Sequence, residues 1–225
     1  MSKQASEFQE KSMSIIYRGK EIFKPLNTGR IDERVSCVRE FVANIFFYTK
    51  NGVTIMIDAG YNYPRLKEKM GWLDLDPASV QHILITHQDT DHVGAVEADS
   101  DGLFREAKLY IGEVENRYLT GEVRRKVIFG LFKLPIVKTD NQRVLLQDGQ
   151  VLDIEGVKVE CFLVPGHTGW TDSMDFAFAH KDKVCNAWRR QKPHDPAASY
   201  DGYDESDDTE EKARTVRLSK VKKLL

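Results

Sequence analysis

Apolar and polar positions predict strands in the first quarter of the chain. Residues 14–26 and 35–48 are runs rich in β-branched and aromatic side chains, which is typical of strands. The polar Lys50-Asn51-Gly52 follows the second run, and Asn-Gly favours the positive backbone angles of a tight hairpin turn. Residues 53–57 are therefore expected to return as the next strand.

The middle of the chain alternates between helix-like and strand-like segments. A short helix is predicted at 63–72, and Pro77 is expected at an early position of a second helical element. A buried strand is predicted at 82–86, a further strand at 109–111 and a helix at 113–119. This alternation is typical of a chain that mixes helices with a sheet.

Strand-like runs return in the second half of the chain. Residues 144–146, 151–154 and 157–164 are apolar runs separated by turn residues, and they predict a β-meander. The preceding segment, 123–137, is compatible with a helix or with a lid. The strands at both ends and the mixed centre predict a sandwich of two sheets with outer helices.

The length of 225 residues suits one domain with a sizeable core. We expect a flexible tail at 1–12, because it is polar and charged, and a single domain over 13–225. The sequence pattern of residues 168–225 predicts secondary structure less clearly. It contains an acidic run at 201–211, interpreted as a solvated loop, and a predicted final helix at 209–225 capped by Asp207 or Asp208.

Composition and charge exclude several classes of partner. The chain is 41% hydrophobic and 30% charged, and its formal net charge of -2 predicts neither nucleic acid nor an anionic membrane as a partner. Three cysteines, Cys37, Cys161 and Cys185, suit a reducing compartment. With no secretory signal, this predicts a cytoplasmic protein; a homo-oligomer is compatible with the sequence.

Four potential metal ligands stand together directly after the buried strand at 82–86. They are His87, Asp89, Asp91 and His92. Alternate residues of an extended chain share a face, so His87 and Asp89 are expected to point the same way, with the other two in a following turn. Imidazole and carboxylate donors suit zinc, iron or manganese. This cluster is the strongest functional signal in the sequence.

The cluster resembles the His-x-His-x-Asp-His signature of metallo-β-lactamase-fold hydrolases, with glyoxalase II and lactonases among the members it is similar to. Residues 54–60, which end in Asp58-Ala59-Gly60, resemble the family's Asp-x-Gly strand end. Residues 164–168, with His167, resemble its third metal motif. The resemblance implies an α/β fold, a four-layer αβ/βα sandwich of two mixed sheets, with metal motifs on loops at one edge.

The resemblance also implies a role for each matching residue. His87, Asp89 and His167 would hold a first ion, and Asp91 and His92 would begin a second site, so the whole centre would take one or two zinc ions. Asp91 would also be the catalytic group that positions the attacking water, and Asp58 would support the metal loops. Asp89 stands where the family usually has histidine, and a carboxylate there makes iron or manganese more competitive.

The chain departs from the family pattern after His167. The family completes its second site with a bridging Asp in a Gly-Asp pair and with a late histidine. This chain has Asn186 near the first position, and no histidine follows His194. His194 or Asp195 would have to replace the late ligand, but a solvated loop is the simpler interpretation of that segment. The second site is therefore expected to be weak or absent.

Three functional hypotheses follow. The first is a metal-dependent hydrolase of a small ester, thioester or lactone-like substrate. The second is a degenerate family member that binds a metal with little or no catalysis, which the missing Gly-Asp pair motivates. The third is an iron-dependent redox protein, which Asp89 motivates because flavodiiron relatives carry a glutamate at that position. The sequence shows no flavin-binding domain, which weakens the third hypothesis.

Overall fold

The computed structural model describes residues 26–40, 43–61, 64–98, 101–124, 126–127, 132–133, 136–165, 172–180, 183–185 and 208–215. The predicted tail at 1–12, most of the strand predicted at 14–26 and the acidic run at 201–207 lie outside these ranges. No helix in the described ranges combines the length and the apolar character needed to cross a membrane.

The strands of the described chain are numbered in sequence order. They are β1 (Gly29–Arg30), β2 (Val35–Arg39), β3 (Asn44–Lys50), β4 (Val53–Ile57), β5 (Val80–Ile85), β6 (Lys108–Gly112), β7 (Lys126–Val127), β8 (Phe132–Lys133), β9 (Arg143–Leu146), β10 (Val151–Ile154), β11 (Val157–Pro165), β12 (Asp172–His180) and β13 (Lys183–Cys185). The α-helices are α1 (Leu66–Trp72), α2 (Thr90–Val93), α3 (Glu113–Leu119) and α4 (Glu210–Thr215), with 3₁₀ turns at Pro77–Ser79 and Gly94–Val96.

The larger sheet has seven strands in the order β1-β2-β3-β4-β5-β6-β9. Its first four strands pair antiparallel, and β4, β5, β6 and β9 pair parallel. The β3–β4 hairpin turns at Asn51 and Gly52, with φ of 53° and 84°, as the Asn-Gly pair predicts. Parallel neighbours need longer crossovers, and helices α1 and α3 lie within those connections.

The smaller sheet has the order β10-β11-β12-β13, and its pairs are antiparallel. It packs on the larger sheet through an apolar core in which Tyr48 stacks on Phe178 with ring centroids 4.4 Å apart. A second core lies under α1, α3 and α4 on the other face of the larger sheet. The predicted sandwich of two sheets is confirmed. The outer helices that a four-layer sandwich places over the smaller sheet stay a prediction.

Two element predictions are wrong in part. The run at 144–146 does not join the meander, because β9 pairs parallel with β6 in the larger sheet. The chain changes sheets at Asp148 and Gly149, where Asp148 Oδ1 accepts the Leu163 N–H at 2.8 Å and Gly149 has φ 70°. The helix alternative for 123–137 is also wrong where the chain is described, since β7 and β8 form a two-stranded ribbon there.

Helix α4 confirms the start of the predicted final helix, and residues 216–225 lie outside the description. Asp208 is not its cap. The Asp208 carboxylate instead accepts a hydrogen bond from the Lys69 ammonium at 2.5 Å. It also accepts hydrogen bonds from the Thr28 backbone N–H at 2.6 Å and from the Thr28 hydroxyl at 2.9 Å. The Lys69 and Asp208 side chains are 0% and 1% exposed. A buried ion pair therefore fastens the C-terminal helix to α1 and β1.

Candidate metal centre

The predicted ligand cluster lies at the carboxyl end of β5, a buried central strand of the larger sheet. His87 and Asp89 lie in the loop that follows β5, and Asp91 and His92 lie in the one-turn helix α2. The Asp58 turn follows the neighbouring parallel strand β4, so both loops emerge at the same edge of the sheet. Loops held by a rigid sheet are a common location for functional groups.

The structure brings the four predicted ligands together in two pairs. His87 Nε2 lies 3.6 Å from Asp89 Oδ2, and His92 Nε2 lies 3.5 Å from Asp91 Oδ2. The two imidazole rings are neighbours, with centroids 3.9 Å apart and planes inclined by 44°. The expectation that His87 and Asp89 point the same way is confirmed.

Asp58 orients both histidines. Its Oδ2 accepts the His92 Nδ1–H at 2.7 Å, and its carboxylate accepts the Thr86 backbone N–H at 2.8 Å and the Thr86 hydroxyl at 2.9 Å. Because the Thr86 proton is donated to Asp58, the hydroxyl oxygen accepts from His87 Nδ1 at 2.9 Å. The hydrogen-bond network thus assigns protons to both Nδ1 atoms and directs both Nε2 atoms toward carboxylates.

Backbone hydrogen bonds join the Asp58 turn to the ligand loop. The Ala59 N–H donates to the His92 carbonyl at 2.6 Å, the Gly94 N–H to the Gly60 carbonyl at 2.6 Å, and the Ala95 N–H to the Ala59 carbonyl at 2.9 Å. The two loops therefore form one unit, and a shift of the turn would move His92.

In the Asp91–His92 pair, each residue stabilises the charged form of the other. Burial lowers the pKa of His92, but the Asp58 and Asp91 carboxylates outweigh burial and hold it well above its ordinary value. Burial raises the pKa of Asp91, but the neighbouring His92 and His87 outweigh burial and hold it well below its ordinary value. Asp91 is therefore ionised at neutral pH. A metal ion would replace the His92 Nε2 proton, because Nδ1 keeps its proton for Asp58.

The donor set suits a metal ion in chemistry and in pairwise spacing. Two N or O ligands of a tetrahedral zinc ion lie roughly 3.4 Å apart, given bond lengths of about 2.0–2.2 Å. Both His–Asp pairs have this separation. The described ranges nevertheless contain no group of three or more His, Cys, Asp or Glu side chains arranged around one centre. Each pair would therefore need a further ligand.

Several predicted site residues lie outside the described ranges. They are His167, Asn186, His194 and Asp195, so the roles assigned to them stay predictions. His82 is not part of the site. Its ring nitrogens contact Tyr110 Oη at 2.9 Å and Glu155 Oε1 at 3.0 Å, so it is a buried histidine with hydrogen-bond partners of its own.

Two buried glutamates support the ligand loops, and the sequence analysis missed both. Glu115 Oε2 accepts the Gln88 N–H at 2.8 Å, and Glu40 Oε1 accepts the Tyr61 N–H at 2.6 Å. Both residues are 1% exposed. Glu115 lies on the helix next to the site, and Glu40 directly follows a strand of five buried residues. That strand, Val-Ser-Cys-Val-Arg, contains polar and charged residues, so no local sequence pattern marked Glu40 as buried.

Burial of Glu40 predicts a pH-dependent stability. Burial raises the pKa of its carboxyl from an ordinary 4.5 to about 8. Between these values the folded protein holds a proton that the unfolded chain has lost, so stability falls as pH rises, with a slope approaching about 1.4 kcal/mol per pH unit. Glu40→Gln should remove this component. Urea unfolding of chelator-treated wild type and Glu40→Gln, repeated between these two pKa values, measures the free energy of unfolding of each. A difference in unfolding free energy that does not change with pH would contradict the prediction.

The buried thiols are poor nucleophiles. Burial raises the pKa of Cys37 to about 12, with the Asp208 carboxylate adding to the effect, and burial likewise raises that of Cys161 to about 12. Neither is a thiolate at neutral pH. Within the described part of the chain, the histidines and carboxylates are therefore the candidate reactive groups.

Comparison with known proteins relates the fold to solved structures. A subclass B3 metallo-β-lactamase from a soil metagenome library, MEM-A1, is 18% identical with a TM-score of 0.57, over 72% of this chain and 61% of that one. A metallo-β-lactamase of Cronobacter sakazakii is 20% identical with a TM-score of 0.54, over 69% and 55%. A B3 enzyme described as having an active-site glutamic acid is 22% identical with a TM-score of 0.57, over 75% and 64%.

The chain thus spans less than two thirds of the length of these structures. No curated protein matches the sequence. The model of the metallo-β-lactamase superfamily matches residues 38–169, more than half of the chain, and this range contains both ligand pairs and His167. The chain therefore belongs to the metallo-β-lactamase superfamily, whose members are generally metal-dependent hydrolases.

Proposed function

We propose that the protein is a metal-dependent hydrolase of a small ester, thioester or lactone-like substrate. One observation carries the proposal. Asp58 directs the Nε2 atoms of two adjacent histidines toward carboxylates at 3.5 and 3.6 Å. Such an arrangement presents lone pairs and negative charge to a cation. Family membership supports hydrolysis as the reaction class, and glyoxalase II-like or lactonase-like chemistry is the finer part of the proposal.

The residues have distinct roles in this proposal. His87, Asp89 and His167 would hold one ion, and Asp91 and His92 would begin a second, weaker site, with zinc as the first choice and iron or manganese as alternatives. When bound, such an ion supplies a nucleophilic water at neutral pH and polarises a substrate oxygen. The ionised Asp91 carboxylate would accept a hydrogen bond from the attacking water, which positions it, and would relay its proton. Thr86 and Asp58 keep the histidines in place.

A degenerate family member is the second candidate, and a specific observation favours it. The Asp91–His92 pair offers two donors where a closed site needs more, and the sequence carries neither a Gly-Asp pair nor a histidine after His194. A protein of this kind would bind one ion and turn over slowly. Metal content and turnover, measured on the same sample, separate the two candidates.

The partners and the location belong to the same proposal. We propose a small molecule as the substrate. We propose neither nucleic acid nor a membrane as a partner, and the net charge of -2 supports this. A cytoplasmic location is supported by Cys37 and Cys161, which are buried free thiols. We also propose that the protein can form a homo-oligomer, and the molecular mass of the protein in solution tests this.

Metal dependence is the direct test of the proposed function. Tag-free protein is expected to carry one to two zinc ions per chain by plasma mass spectrometry, and chelation should abolish hydrolysis of p-nitrophenyl acetate, S-phenyl thioacetate or dihydrocoumarin. Adding zinc back should restore it, because the metal supplies the nucleophile. Bound metal without turnover would establish the degenerate candidate, and iron would favour redox chemistry. Hydrolysis that persists without metal would overturn the proposal.

A further inference from the structure

Glu40 is a buried carboxyl fitted against the Asp58 turn. It directly follows β2, is 1% exposed, and accepts the Tyr61 N–H through Oε1 at 2.6 Å. Its Oε2 is also buried and has no hydrogen-bond partner in the described part of the chain. A Cβ on Gly60 would overlap this oxygen, and Gly60 has φ 54°. The glycine therefore leaves the space that the Glu40 carboxyl fills.

The turn that Glu40 holds is the one that holds His92. Between Asp58 and Tyr61, the Asp58 side chain bonds the His92 ring at 2.7 Å, and the Ala59 N–H bonds the His92 carbonyl at 2.6 Å. The Gly60 carbonyl accepts from Gly94 at 2.6 Å. Tyr61 is the next residue, and its N–H is the one that Glu40 accepts. A displacement at Tyr61 is therefore passed directly to the Asp91–His92 segment.

We infer that Glu40 is a positioning residue for the Asp91–His92 half of the metal centre, acting through the Asp58–Tyr61 turn. This inference rests on the proposed function, because the Asp58–Tyr61 turn has a role in metal binding only if the protein binds a metal. It also adds a residue to the site from a strand that carries none of the three motifs. Glu40 supports the half of the site for which the sequence lacks the Gly-Asp pair and the late histidine.

Because Glu40 is mostly protonated at neutral pH, Glu40→Gln is a conservative replacement. Burial raises the pKa of its carboxyl to about 8, against the opposing effect of the Tyr61 hydrogen bond, and the nearby Asp91 carboxylate raises it further. At neutral pH the side chain is therefore mostly uncharged, and glutamine has the same shape with an acceptor oxygen for Tyr61. Methionine conserves the volume but removes both oxygens.

The test compares Glu40→Met with Glu40→Gln. Zinc affinity of chelator-treated protein, measured by competition with a chromophoric chelator, is expected to fall about 10- to 100-fold in Glu40→Met, as for other groups that orient metal ligands. Glu40→Gln should stay close to wild type. The visible spectrum of cobalt-loaded protein should change in Glu40→Met and be restored in Glu40→Gln, which a general loss of stability does not produce. Glu113→Met, an exposed glutamate of α3, is the matched control.

The outcomes separate this inference from the proposed function. Wild type that binds no ion would overturn the proposed function. Wild type that binds ions, with Glu40→Met equal to it in affinity and cobalt spectrum, would overturn the role of Glu40 alone. If Glu40→Met does not fold, Glu40→Asp takes its place. Its carboxyl is one methylene shorter and withdraws from Tyr61, so it should also weaken affinity, and unchanged affinity would overturn the inference.

Discussion

Replacing Asp91 with asparagine is expected to lower kcat/KM about 10²- to 10⁴-fold, the usual contribution of a general base. Asparagine keeps the size of the side chain but removes the negative charge that His92 and His87 maintain. It therefore cannot take up the proton of the attacking water. Steady-state kinetics on the most reactive of the three test substrates, with zinc in excess, measures the effect.

Asp101→Asn is the control for Asp91→Asn. Asp101 is an exposed aspartate outside the proposed ligand set, so its variant should keep wild-type kinetics. Because Asp91 is also a proposed ligand, metal content is measured on the same samples. A variant that retains its metal and loses turnover assigns Asp91 to the reaction, and one that loses metal assigns it to binding. Full turnover in Asp91→Asn would remove Asp91 from both roles.

Replacing Asp208 with alanine is expected to destabilise the fold by about 3–5 kcal/mol, because it leaves the buried Lys69 ammonium without its carboxylate. The change also removes the acceptor of the Thr28 backbone and hydroxyl groups. Helix α4 contacts β1 and α1, so its attachment should loosen as well. Urea unfolding, followed by circular dichroism, gives the free energy of unfolding.

Two variants serve as controls for the ion pair. Glu210→Ala breaks the Glu210–Arg214 pair of α4, whose side chains are about half exposed, and should cost less than about 0.5 kcal/mol. The double variant Lys69→Met with Asp208→Leu removes both charges and should recover part of the loss, because two apolar side chains need no desolvation but still leave the Thr28 donors without their acceptor. Equal stability of Asp208→Ala and wild type would show that the pair does not hold the helix.

Local sequence predicted the elements whose determinants are near in the chain. The Asn51-Gly52 turn, helix α3 and the buried strand β5 all appear where the pattern places them. The side-chain parity of an extended chain also predicted that His87 and Asp89 face the same way. Each of these features depends on residues a few positions apart.

Long-range pairing decided the features that local pattern could not. The run at 144–146 has the composition of a meander strand, but its partner is β6, more than 30 residues earlier along the chain. The polarity of Asp208 predicts a helix cap, yet its partners are Lys69 and Thr28, residues 139 and 180 positions away. In both cases the competing local structure is stereochemically acceptable, so only packing selects between them.

The sequence by itself predicted a cluster of candidate metal ligands, because imidazoles and carboxylates at the end of a buried strand need no distant partner to be recognised. The tertiary structure decided how the loop that carries these residues is held. Asp58, Glu40 and Glu115 come from three other segments, and each satisfies a polar group of the ligand loop or of its adjoining turn. A buried N–H or imidazole must find an acceptor, and which residue supplies it depends on the folded chain.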